Sequence, residues 1–164
     1  MNKIITVIIM LAIIVVLFLS LSNQQNMTVI VKDNIAKQPV PIILGKFQDS
    51  DCGMVIGDLT YASQVIAPNG ATWFFHDHGG LVNWLKNKPF KEDAIIWVMS
   101  KDTKKWINGK MAWYSRTDST PMLYGFGAYE NHNDTLIDFS TMSTYMLRGE
   151  HLANPQIKNQ LLGH

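Results

Sequence analysis

Apolar residues dominate the start of the chain, where Ile4–Leu21 runs for 18 residues without a charged side chain. A helix of this length spans roughly 27 Å, close to the thickness of the hydrocarbon layer of a bilayer. Lys3 precedes the run, and the next cation is Lys32. Because cations concentrate on the cytoplasmic side, the pattern predicts a single-pass helix in the cell inner membrane, with the body facing the periplasm. The alternative is a cleaved signal peptide, which would export the body equally.

The residues that follow are mostly polar. Asn23–Pro41 ends in two prolines that flank one valine, and proline stiffens the backbone. This composition predicts a membrane anchor over residues 1–25 and a tether over residues 26–50. Within the tether, Met27–Val31 fits either a short edge strand or a continuation of the stalk.

The first half of the body predicts a hairpin and a helix. Gln64–Ala67 and Ala71–Phe75 flank a Pro-Asn-Gly sequence, which is a strong turn signal. Asp77–Leu85 then places apolar residues at helical spacing, and Asp77 or His78 could cap the start of that helix. The pattern predicts two strands followed by a helix.

The second half repeats this order. Ala94–Met99 is a continuous apolar run typical of a central strand, and Lys110–Tyr114 and Leu123–Tyr129 predict two further strands. Asn131–Glu150 predicts a helix that Asn133 or Asp134 would cap.

An α+β fold follows from this alternation. The body is expected over residues 51–150, with two similar units at about 51–93 and 94–150. Residues 151–164 are expected to form a loosely held tail.

Composition narrows the function. The chain has 164 residues, a net charge of +1 and 16% charged residues, which does not fit a nucleic-acid-binding protein. Cys52 is the only cysteine, so the chain cannot form an internal disulfide. A lone thiol in an oxidising compartment calls for a reason, such as deep burial or metal ligation.

Sulfur donors form the first candidate site. Cys52 and Met54 are separated by one glycine, and in an extended segment both side chains would face the same way. Thiolate and thioether are soft ligands that select Cu(I). Met122 follows a proline and is a further candidate. The alternative for all three is packing in the core.

A second candidate is the sequence His76-Asp77-His78. Either histidine could be a metal ligand that Asp77 orients. Alternatively, Asp77 caps the following helix and both histidines are solvated. A nucleophilic site is a further alternative, with Cys52 as the thiolate, His76 or His78 as the base and Asp77 as the orienting group.

The order and spacing of these motifs resemble the NosL family of copper-binding accessory proteins for nitrous oxide reductase maturation. The resemblance spans about Asp51 to Leu147, which is most of the body. It rests on these segments: Cys52-Gly53-Met54, Ala62–Ile66, Phe74–Asp77, Gly79–Leu85, Ala112–Tyr114, Thr120-Pro121-Met122 and Phe126–Tyr129.

This resemblance implies a body of two similar ββαβ units that binds Cu(I) outside the cytoplasm. It assigns the thiolate ligand to Cys52 and the thioether ligands to Met54 and Met122. It also implies delivery of copper to the copper–sulfide centre of nitrous oxide reductase. The implied partners are that enzyme or a copper-related ABC transporter complex, and no catalysis is expected.

The chain departs from the family pattern in three ways. Many members are lipoproteins, whereas this chain has an apolar anchor without a lipidation cysteine. The family often has an acidic pair where this chain has His76-Asp77, and commonly an apolar residue where His78 stands. The last two differences leave open whether a histidine joins the metal site. The rival functions are an enzyme with Cys52 as nucleophile and an inert scaffolding subunit of a membrane complex with Cys52 buried.

Overall fold

The computed structural model describes residues 2–22 and 27–163. It contains two antiparallel sheets and four helices, which confirms the predicted α+β class. Helix α1 (Asn2–Ser22) precedes the body. Among the helices of residues 2–22 and 27–163, none satisfies both the length and the apolar character that a membrane crossing requires.

The larger sheet has five strands in the spatial order β1-β3-β2-β4-β5. In chain order the strands are β1 (Ile30–Val31), β2 (Ser63–Ile66), β3 (Thr72–Phe75), β4 (Ile95–Met99) and β5 (Trp106–Asn108). All neighbouring strands are antiparallel. Of the two alternatives for Met27–Val31, the structure shows the edge strand, which is limited to Ile30–Val31.

The predicted hairpin is confirmed at the centre of the sheet. Strands β2 and β3 pair with Ile66 opposite Thr72. The turn between them closes through a hydrogen bond from the Gly70 N–H to the Ala67 carbonyl, at 2.9 Å. Gly70 has a φ of 84°, a left-handed conformation that glycine adopts without a steric penalty.

Helix α2 (His78–Leu85) follows β3 and packs on the sheet. Asp77 is its N-cap, as expected, because its Oδ1 accepts a hydrogen bond from the Gly79 N–H at 2.9 Å. The helix buries its apolar side in the main core. The buried residues at its centre include Val65, Phe75, Leu81, Ile96, Tyr114, Phe126 and Met142.

The smaller sheet has the order β7-β6-β8, formed by β6 (Trp113–Tyr114), β7 (Ala128–Tyr129) and β8 (Ile137–Asp138). Helix α3 (Phe139–Leu147) follows directly. The predicted helix over Asn131–Glu150 and its cap at Asn133 or Asp134 are wrong at the N-terminal end. The Asn133 Oδ1 accepts from the Thr135 N–H in a local turn, and Asp138 caps the helix instead.

The order of elements differs between the two halves. Strands β2 and β3, helix α2 and strand β4 follow a ββαβ order, whereas β6, β7 and β8 precede α3. Strand β4, at the start of the second predicted unit, pairs with β2 of the first. The apolar run correctly predicted strand β4, but the local pattern did not predict that β4 pairs with β2.

Two segments outside residues 51–150 pack against the body. In the expected tether, Phe47 and Asp49 are buried. In the expected tail, helix α4 (Pro155–Leu162) begins at the N-cap Asn154. Leu152, which precedes that helix, is also buried, whereas the helix itself has no buried residue.

Candidate metal centre

The Cys52 segment forms a tight turn around the carboxylate of Asp49. The Asp49 Oδ1 accepts hydrogen bonds from the N–H groups of Asp51 and Cys52, at 2.7 and 3.0 Å. The Gly53 N–H donates to the Asp49 carbonyl at 3.0 Å, and Gly53 has a φ of 77°. The expected extended conformation of Cys52-Gly53-Met54 is therefore wrong, because an aspartate side chain that bonds the following N–H groups favours a turn.

The turn leaves Cys52 exposed. Deep burial was one of the two explanations expected for a lone thiol, and this exposure excludes it. The inert scaffold alternative assumed a buried thiol, so it loses its structural basis. An exposed sulfur at a fixed turn is accessible to a metal ion.

His76 lies at the end of strand β3 and faces the turn. Its Nδ1 is 2.6 Å from the Asp49 Oδ2, and its backbone N–H donates to the same oxygen at 2.8 Å. The Cys52 Sγ lies 3.8 Å from this Nδ1. Asp49, Cys52 and His76 thus present an oxygen, a sulfur and a nitrogen within 4.8 Å of one another, and this group could hold a metal ion.

The distance between the Cys52 Sγ and the His76 Nδ1 fits two ligands of a single metal ion. Typical bonds of about 2.3 Å to sulfur and about 2.05 Å to nitrogen put the two donors roughly 3.5–3.8 Å apart at tetrahedral to trigonal angles. The observed 3.8 Å lies at the trigonal end of this range. The side chains of Cys52 and His76 need little movement to share one ion.

Asp49 and His76 favour each other's charged forms. Burial alone would raise the pKa of Asp49, but the hydrogen bonds from His76, Cys52 and Asp51 outweigh it and lower that pKa. The hydrogen bond to Asp49 raises the pKa of His76. Burial, followed by the carboxylates of Asp49 and Asp51, raises the pKa of the Cys52 thiol. The free thiol is therefore protonated at neutral pH, while the surrounding carboxylates attract cations.

Backbone hydrogen bonds fix the positions of the segments that carry Met54 and Met122. Met54 is 45% exposed, and its carbonyl accepts from the Asp49 N–H at 2.8 Å, which fixes it to the same turn. The N–H of the half-buried Met122 donates to the Asp77 Oδ2 at 2.9 Å. Asp77 therefore ties the Met122 loop to the start of α2, next to His76.

His78 lies apart from this group. It is fully buried, and neither ring nitrogen has a hydrogen-bond partner among residues 2–22 and 27–163. Its ring packs edge-on against Tyr61 and Tyr114, with centroids 6.4 and 6.0 Å away. Burial lowers the pKa of His78 to about 3. The expectation that both histidines are solvated is wrong, since His76 is also buried.

Sequence reasoning missed Asp49. A local signal existed, because aspartate side chains favour turns by accepting a hydrogen bond from the backbone two residues further on, as Asp49 does from the Asp51 N–H. Its second role had no local signal. The bond to His76 joins residues 27 positions apart, which only the folded sheet brings together.

Comparisons with protein-family models, curated proteins and solved structures found no match to this chain.

Proposed function

We propose that this protein is a membrane-tethered, extracytoplasmic Cu(I) chaperone that delivers copper for the assembly of the nitrous oxide reductase copper centre. The observation that carries the proposal is the exposed Cys52 thiol, 3.8 Å from the imidazole of His76. A thiolate is the strongest soft donor that a protein offers to Cu(I).

Cys52 supplies the thiolate, and Met54 and Met122 supply thioethers. Two features support this ligand set: Met54 shares the turn with Cys52, and Asp77 holds the Met122 loop beside the strand end that carries His76. His76 is the adjacent nitrogen donor. A small set of soft ligands at the surface suits a carrier, because an acceptor can replace the ligands one at a time.

Attachment through Ile4–Leu21 and a periplasmic location are part of this proposal. Their support comes from the sequence, which has eighteen uncharged residues with a lysine before them and no cation directly after them. It does not come from the helices of residues 2–22 and 27–163, none of which meets the requirement for a membrane crossing. The partners would be nitrous oxide reductase or a copper-related ABC transporter complex. The implied pair of ββαβ units is supported by the order around β2, β3, α2 and β4, and the order of the smaller sheet departs from it.

An enzyme with Cys52 as nucleophile is the second candidate, because cysteine, histidine and aspartate lie together. Its geometry is unfavourable. In a catalytic triad the base uses one ring nitrogen for the nucleophile and the other for the orienting group. Here Asp49 and Cys52 both approach Nδ1 of His76. Asp77, the orienting group expected for the enzyme, instead bonds Gly79 and Met122.

Cu(I) titration of the full chain in detergent, against a competing chelator, tests the copper proposal. We expect one Cu(I) per chain, with affinity reduced at least about tenfold by Cys52→Ala and by the double variant Met54→Leu/Met122→Leu. The exposed Met111 provides a matched control, because Met111→Leu makes the same chemical change elsewhere on the surface. Unchanged binding by Cys52→Ala would refute the site.

The enzyme alternative gives the methionines no role, so their substitution should leave the activity unchanged. Turnover that is lost in Cys52→Ala but retained in Met54→Leu would favour a nucleophilic cysteine over the chaperone.

A further inference from the structure

The donors that the structure gathers differ from those that the family resemblance implies. The implied set, Cys52, Met54 and Met122, contains sulfur alone. The observed group combines the Cys52 sulfur with a nitrogen of His76 and an oxygen of Asp49. Sulfur-only sets select Cu(I), whereas cysteine, histidine and aspartate are the usual ligands of Zn²⁺.

We propose that Asp49, Cys52 and His76 also form a binding site for a divalent ion of the Zn²⁺ class, which competes with Cu(I) for the shared thiolate. This inference rests on the metal site of the proposed function and adds a second class of ion to it.

Two distances determine how much the site must adjust. The Cys52 Sγ and His76 Nδ1 are 3.8 Å apart, within reach of one Zn²⁺. The Asp49 Oδ2 and His76 Nδ1 are 2.6 Å apart, whereas two such ligands on one Zn²⁺ stand roughly 3.3 Å apart. The carboxylate and the imidazole must therefore separate by about 0.7 Å, which small side-chain rotations provide.

The turn holds the carboxylate in place during this adjustment. Zn²⁺ would replace only the contact between Asp49 and the imidazole Nδ1. Three hydrogen bonds to the Asp49 carboxylate remain, from the N–H groups of Asp51, Cys52 and His76. Backbone donors of this kind orient a ligating carboxylate in the way that supporting residues do around metal sites.

Binding requires no redox partner. The Cys52 thiol releases its proton to solvent on forming the zinc–sulfur bond, and Asp49 binds as the anion. The Nδ1 proton that bonds Asp49 leaves to solvent, and the imidazole binds through Nδ1 as the neutral ring, with a proton on Nε2. Because Cys52 is exposed, water occupies the fourth position of a tetrahedral ion, which keeps the ion exchangeable.

Co²⁺ is the probe, because it adopts the tetrahedral sites of Zn²⁺ and a bond to thiolate gives a near-ultraviolet charge-transfer band. The full chain in detergent, with the thiol reduced, is titrated with Co²⁺ and then with Zn²⁺. We expect one Co²⁺ per chain, the thiolate band, and its loss as Zn²⁺ displaces the probe.

Variants then separate this site from the copper site. We expect Cys52→Ser to abolish the band, and His76→Gln to weaken Co²⁺ binding at least about tenfold. Met54→Leu/Met122→Leu should retain Co²⁺ binding within about twofold while it weakens Cu(I) binding. His132→Gln is the matched control, because His132 is exposed and packs against Trp113, outside the group.

The outcomes are distinguishable. Absence of the thiolate band in the wild-type protein would overturn the divalent site and leave the copper proposal standing. An unchanged Co²⁺ affinity in a His76→Gln protein with native circular dichroism would overturn it equally. If the wild-type protein binds Co²⁺ with the thiolate band but does not bind Cu(I), the copper proposal is refuted and the divalent site stands.

Discussion

Replacing Gly79 by alanine is expected to destabilise the body, because the new methyl group would overlap with Tyr124. A Cβ atom at Gly79 would lie 2.5, 2.7 and 2.8 Å from the Cδ2, Cγ and Cβ of Tyr124. Relaxed contacts between carbon atoms are about 3.5–4.0 Å. One of these atoms is the Tyr124 Cβ, so rotation of the ring cannot remove the overlap. The segment carrying Tyr124 must move by roughly 1 Å.

Gly80 provides a matched control in the same turn of helix α2. A Cβ atom at Gly80 would meet the Asp51 Oδ2 at 3.4 Å, an ordinary contact. Both substitutions gain helix propensity, worth up to about 1 kcal/mol, so this gain largely cancels in their difference. Overpacking costs about 1–3 kcal/mol. We therefore expect Gly79→Ala to be less stable than Gly80→Ala by about 1–3 kcal/mol.

Urea unfolding at pH 7, followed by circular dichroism, measures this difference. Tyr124 lies close to the metal site, because it packs against Gly79, three residues after His76. We expect Gly79→Ala to weaken Cu(I) binding as well. Equal stability of the two alanine variants would show that Tyr124 does not pack on the start of α2, and the reasoning would be wrong.

Two further predictions concern protonation. Burial lowers the pKa of His78 to about 3 in the folded body, against 6.5 in the unfolded chain. Between these pH values only the unfolded state binds a proton at His78. The free energy of unfolding therefore falls as the pH drops below 6.5. Between pH 7 and pH 5, the free energy of unfolding measured with urea should fall by about 2 kcal/mol more for the wild type than for His78→Phe. An equal fall in the two proteins would contradict this. Because burial and then the carboxylates of Asp49 and Asp51 raise the pKa of the Cys52 thiol, iodoacetamide should modify it more slowly than a free cysteine at pH 7.5. Asp51→Asn should accelerate this reaction and the exposed Asp93→Asn should not, so equal rates would argue against the carboxylate effect.

Local features of the fold were predictable from the sequence. The Pro-Asn-Gly hairpin turn and the capping role of Asp77 depend on contacts within a few residues, and the strand over Ile95–Met99 was recognisable from its continuous run of apolar residues. The start of helix α3 was not predictable in this way. Residues 137–138 pair with Trp113 and Tyr114 across the smaller sheet, so a distant partner determines where the helix begins.

The metal site likewise has features that the sequence predicts and features that depend on the tertiary structure. The sequence by itself singled out Cys52 as the lone thiol and His76 as a candidate donor, because both judgements depend on residue type and order. Only the tertiary structure brought the two together, exposed the sulfur and placed the buried Asp49 between the turn and the strand end. It also separated His78 from His76, although the two are adjacent but for Asp77. The physical reason is that one end of β3 faces the turn, while the first residue of α2 points into the core, and such directions depend on packing across the whole body.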